Sequence, residues 1–321
     1  MSESSVVALP EPTVRKQRKW LLTQNHELKE IGVFNWTLPA FVVKLSNGKH
    51  FNVCPSAGVC ATVCYARNGT FNFPSVKQAH VEKLEMVLND LEGWTETMST
   101  EVGHKRYQGK WVRIHDSGDF FSDEYLLAWL RIARENPGVK FYCYTKEVER
   151  FRRIVENIEG KYDGAKPENF HYLYSYGGKQ DRSLDENTDR VADIFPSFEA
   201  MEEAGYSSQH ESDLQCITNE NNRVGIPYNN IPHFKKKIKG RTFQQMQADV
   251  DSKRDAKRER GADGSPRVLA EDTETAALCP CGAPYAGAPA AGCHRWGHAV
   301  RRSADDTVAA MEADAVDALT D

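Results

Sequence analysis

Three cysteines, Cys54, Cys60 and Cys64, share one short loop, and Tyr65-Ala66 follows at once. Thiolates are soft ligands that suit iron–sulfur clusters, zinc and copper(I), and ligands a few residues apart can converge on one centre at low ordering cost. The competing reading is three buried cysteines acting as small hydrophobes. Pro55, Ser56, Gly58 and Thr62 make that a poor fit, because burying such a loop would strand backbone polar groups. Metal binding is therefore expected, with a [4Fe-4S] cluster ahead of zinc. A structural zinc site needs a fourth ligand, for which His50, His80, His115 or the distal cysteines are candidates. A four-iron cluster held by three cysteines instead keeps one iron open to a substrate or cofactor.

Other residues could also do chemistry. Cys279, Cys281, Cys293 and His294 form a second group that could hold zinc or another cluster, or supply a missing ligand. His115-Asp116, with His80 and His104 recruited, would suit a metal-dependent phosphohydrolase, but that class carries its pair on a helix and this one ends a strand. Lys146 after a strand could be a base or Schiff-base former, although a surface lysine pairing with Glu147 or Glu149 is the simpler expectation. Gly177-Gly178-Lys179 lacks phosphate-loop spacing and reads as a turn.

The elements that must position these residues follow from periodicity. Asn35–Leu45 is β-branched and aromatic, and Asn47-Gly48 supplies a hairpin turn, so the cysteine loop leaves a strand end. A helix is expected from Pro74 to about Leu91, ended by Gly93. Trp111–His115 reads as a strand, Asp116–Phe121 as a loop, and Ser122–Glu135 as a helix capped by Ser122 and stopped by Asn136-Pro137-Gly138. Val139–Thr145 and Asn169–Tyr176 are further strands, with a helix over Glu147–Ile158 between them. This alternation predicts an α/β fold, a full or partial (β/α) barrel with mostly parallel strands. Ligands then gather at the carboxyl ends of the strands.

The segments Cys54-x5-Cys60-x3-Cys64-Tyr65-Ala66-Arg67, Arg113-Ile114-His115-Asp116-Ser117-Gly118-Asp119-Phe120-Phe121 and Tyr144-Thr145-Lys146 resemble the phage and actinobacterial "gene product 88" family of uncharacterised proteins. More distantly they look like radical S-adenosylmethionine (SAM) iron–sulfur proteins of phages. The second resemblance implies a partial barrel with a four-iron cluster on the first loop, SAM chelating the open iron, and reductive cleavage releasing a 5'-deoxyadenosyl radical. It also implies that Ser117, Gly118 and Asp119 meet the cofactor, as the segment after the second strand does in those enzymes. The cysteine intervals here are longer than the Cys-x3-Cys-x2-Cys of that class.

Bulk properties set the frame. The 321 residues carry a net charge of -5 and are 40% hydrophobic, which excludes a uniformly basic nucleic-acid coat. No apolar run suits a membrane span or a signal peptide, so the protein is expected in the cytoplasm, where eight cysteines suggest metal or redox chemistry rather than disulfides. Residues 1–30 read as a polar N-terminal arm, 31–234 as the α/β domain, and 235–321 as a basic segment with a flexible, Ala- and Gly-rich tail. The sequence thus predicts an iron–sulfur, radical-SAM-like enzyme of phage type, with its substrate open and a nucleotide or nucleic acid as one candidate. A non-catalytic zinc or iron–sulfur module contacting nucleic acid through the basic runs is the alternative.

Overall fold

Short β-branched and aromatic runs bounded by turn formers become the strands of a computed structural model, which describes residues 20–162, 166–228 and 232–259. The distal group Cys279, Cys281, Cys293 and His294 lies outside the described residues. The strands are β1 (Val33–Trp36), β2 (Val42–Lys44), β3 (His50–Asn52), β4 (Trp111–Ile114), β5 (Lys140–Thr145), β6 (Phe170–Ser175), β7 (Val191–Phe195), β8 (Ser207–Ser208) and β9 (Arg223–Pro227). Seven of them form one sheet in the order β1-β4-β5-β6-β7-β9-β8, and every neighbouring pair is parallel. The fold is therefore α/β; β1, β4, β5, β6 and β7 follow one another in chain order as in a (β/α) barrel, β9 then lies inside β8, and β1 and β8 are the outermost strands. β2 and β3 make the expected antiparallel hairpin, with Gly48 at φ 82 in its turn.

Helices cover one face of this sheet. Helix Asp123–Glu135 begins where Ser122 Oγ accepts the Tyr125 N–H at 3.1 Å, and Asp123 and Glu124 in its first turn favour the helix dipole. Its apolar stripe buries Tyr125, Leu126, Trp129 and Ile132 against Val112, Ile114 and Phe141 of the sheet. Trp36, Trp94 and Trp129 meet there with ring centroids 5.3 to 6.5 Å apart. The helix expected to end at Gly93 is in fact two, Pro74–Asn89 and Leu91–Val102. Asp90 separates them, its carboxylate accepting the Gly93 N–H at 2.9 Å and so starting a new helix where glycine alone would suggest a stop.

The opposite face carries Arg113, Tyr142, Leu173 and Ala192, covered in part by Leu28 and Cys216. The folded unit continues beyond Lys235. Helix Phe243–Glu259 buries Phe243, Met246, Gln247 and Asp251, and Asp193 of β7 accepts the Phe243 N–H at 3.0 Å. No helix among the described residues is long and apolar enough to cross a membrane.

Candidate metal centre

The cysteine loop leaves β3 and is held by its backbone almost residue by residue. Asn52 Oδ1 accepts the Cys54 N–H at 3.0 Å, and Val53 bonds to both Phe41 O and the Asp119 N–H. Ser56 donates its N–H to Glu147 Oε1 at 2.9 Å and accepts the Lys179 N–H. The Gly177 carbonyl receives the N–H groups of both Gly58 and Cys60, at 3.0 and 3.1 Å. Gln247 Oε1, from the last described helix, accepts the Val59 N–H at 2.8 Å. A Cβ on Gly58 would stand 2.0 Å from that oxygen, so a larger residue here would have to displace Gln247 from the Val59 N–H. Asp119, Glu147 and Gly177 among these clamps come from the carboxyl ends of β4, β5 and β6, where the parallel fold was expected to gather a ligand.

The three thiols are half-buried and free of disulfides. Cys64 hydrogen-bonds to Cys60, which lowers the Cys60 thiol and raises Cys64. Burial, then the nearby Asp119 carboxylate, pushes the Cys54 thiol up. Cys64 thus senses the other two thiols, and Cys54 and Cys60 sense Asp119. Among the described residues, no three His, Cys, Asp or Glu side chains are gathered tightly enough for a single ion.

Asp119 joins two strand ends. Its carboxylate accepts from the Thr145 hydroxyl at 2.8 Å, the Lys146 N–H at 2.9 Å and the Phe120 N–H at 2.8 Å. It is buried, and burial raises its proton affinity against those hydrogen bonds. Ser117 and Gly118 sit one step behind. The Ser117 hydroxyl donates to Leu38 O at 2.7 Å, and Gly118, at φ 88, lies so close that a Cβ would stand 2.8 Å from that of Leu38.

Lys146 corrects the expectation of a surface lysine. Its Nζ donates to Ser175 Oγ at 2.8 Å and does not pair with Glu147 or Glu149. Burial works against its charge, but Cys60, Asp119, Asp181 and Cys54 together outweigh burial and hold its pKa above the ordinary lysine value. Glu147 and Asp181 also belong to this neighbourhood; the sequence reading named Glu147 only as a partner for Lys146 and passed over Asp181. Burial pushes each up to about 7, while Glu147 binds the Ser56 N–H and pairs with Arg150, and Asp181 caps the Gly177 and Gly178 N–H groups. What signals Asp181 is only its position just after a Gly-Gly turn.

Of the histidines proposed as further ligands, His115 belongs to the core. His115 is buried with φ 68, its Nε2 3.0 Å from Tyr125 OH and its ring against Phe120, and burial lowers it to about 3. It faces the helix layer, so it is corrected from candidate ligand to core residue. Asp116 bonds instead to Asn35 and Arg113, so the His115-Asp116 pair is split between different partners. His104 lies against Trp20, and His80 against Phe71, whose ring meets Tyr65.

A parallel α/β protein with a clamped cysteine loop at its strand ends is the class these features define. The chain belongs to the gene product 88 family, whose sequence profile, described as Gene product 88, matches residues 12–261. It is similar to the Gene 88 proteins of Mycobacterium phages L5 and D29, 35% and 32% identical over 112 residues. Those stretches cover 32% of this chain and 46% of each relative, so the match spans a little under half of each relative's length. No solved structure matches the chain.

Proposed function

We propose that this chain is an iron–sulfur enzyme of the radical-SAM-like kind, with Cys54, Cys60 and Cys64 holding a [4Fe-4S] cluster. The observation that carries the reading is the convergence of three free thiols, on one backbone-clamped loop, with Asp119 and Lys146 at the carboxyl ends of parallel strands. The donor set fits, since thiolates are the ligands such clusters take. When bound, the cluster would supply single electrons to a ligand, here SAM, at the iron that no cysteine caps.

The chain's own residues have separable tasks. The Gly177 carbonyl and Gln247 fix the loop, so little ordering is left for the moment of binding. Lys146 places an ammonium beside the thiols and offsets the repulsion among three negative sulfurs. Asp119 has three of its roughly four acceptor positions filled, leaving room for one amine hydrogen of a cofactor. Ser117 and Gly118 seat Asp119 against Leu38 and Val53.

The reading is tested by anaerobic reconstitution followed by SAM and a strong reductant. Formation of 5'-deoxyadenosine with an equal amount of methionine is expected, and its loss in Asp119→Asn. A cluster-bearing protein that leaves SAM intact with reductant present would reduce the proposal to an electron-transfer or structural cluster.

A further inference from the structure

A second site lies at the amino ends of the strands, away from the cysteine loop. β7 joins β6 only from Tyr174, opposite Val191, so Phe170–Leu173 has no strand on that side among the described residues. A cleft of about 620 Å³ opens where the ladder stops, within the size range of small-molecule sites. Arg152, Lys166, His171 and Arg190 line it, with Glu156 and Asp189 as its acids.

The acids are already engaged. Glu156 Oε1 accepts the hydroxyls of Tyr172 and Tyr174, at 2.9 and 2.6 Å. Asp189 Oδ2 takes Arg152 at 2.9 Å and the Asp185 N–H at 2.8 Å. Two of the cations, by contrast, lean on neutral oxygens, while Arg152 is shared between Asp189 and the Ser183 carbonyl. Lys166 Nζ donates to Phe170 O at 2.8 Å, and Arg190 to Cys216 O at 2.7 Å, Asn219 O and Asn222 Oδ1. Arg152 Nε is buried with no partner. Each of these groups has more N–H donors than it uses.

We infer that this cleft binds the phosphate group of a small phosphate monoester, through Lys166, His171 and Arg190. The electrostatics agree with the geometry. Burial, then Lys166, Lys140 and Arg190, holds the His171 imidazole below its ordinary value, and burial alone lowers Arg190 while it outweighs Glu168 at Lys166. Three fixed cations facing two engaged acids leave a net positive site that an anion would complete, and the half-buried Tyr172 ring offers a surface for an attached organic group.

The test follows the His171 ring by NMR in the full chain during titration with inorganic phosphate, with adenosine monophosphate, and with chloride at matched ionic strength. Both phosphates are expected to shift the His171 signals and raise its pKa, and Lys166→Met should weaken binding about tenfold while leaving the fold intact. Tighter binding of the monophosphate identifies a nucleotide as the source, and equal binding identifies free phosphate. Chloride acting as well as phosphate, or unchanged affinity in Lys166→Met, would overturn the inference. Cys60→Ala should leave phosphate binding as it is, so the outcome is independent of the cysteine site.

Discussion

Gly118 shows how a single residue can hold the site in place. Its φ of 88 is costly for any residue with a Cβ, and the Cβ itself would press on Leu38 and Val53. Gly118→Ala should therefore destabilise the protein by roughly 1–3 kcal/mol, read as a lower midpoint in denaturant. A midpoint equal to wild type would show that the backbone there relaxes freely. Residue types and spacing were enough to single out Cys54, Cys60 and Cys64, whereas Asp119 entered through the resemblance to radical-SAM proteins. Residue types offered Lys146 as a base but favoured a surface lysine, because its partners Ser175 and Asp181 reach it only once β6 lies beside β5. They could not show that the positive φ of His115 turns its ring into the helix layer.

Among elements, β4, β5 and β6 with the helix after β4 were legible because each pairs a clear apolar period with turn residues. β7 and β9 were not read: VADIF and RVGIP are short and lie among Asp, Asn and Ser-rich loops. Helix Phe243–Glu259 was taken as part of a basic segment, because its few apolar residues look solvated until Gly177 and β7 receive them. Two predictions concern this helix. In Gln247→Ala the Val59 N–H loses its acceptor, at a cost of about 1–3 kcal/mol, and its amide should exchange with solvent much faster; unchanged exchange would deny the clamp. Asp193, which accepts the first N–H groups of the helix, is pushed up to about 7 by burial, against about 4 in an unfolded chain. The folded state binds that proton more tightly, so the stabilisation is full below about pH 4 and is lost as pH rises through about 7. The stability of wild type relative to Asp193→Asn should thus fall by about 1 kcal/mol per pH unit between about pH 5 and 7 in denaturant titrations. A difference that stays flat would contradict the assigned burial effect.

At the scale of the whole molecule, a parallel sheet gathers the cysteine loop at one end of its strands and leaves a basic cleft at the other. The last described helix reaches back to the loop, so the centre is built from segments as distant in sequence as Cys54 and Gln247. The central claim is that the three loop cysteines are cluster ligands. It is tested by counting iron and sulfide after anaerobic reconstitution of wild type and of Cys54→Ala, Cys60→Ala, Cys64→Ala and Cys143→Ala. About four of each per chain, with brown colour, are expected in wild type and Cys143→Ala, and a loss of most iron in each loop variant. A colourless wild-type protein holding zinc, or a loop variant that retains its full iron, would contradict the account.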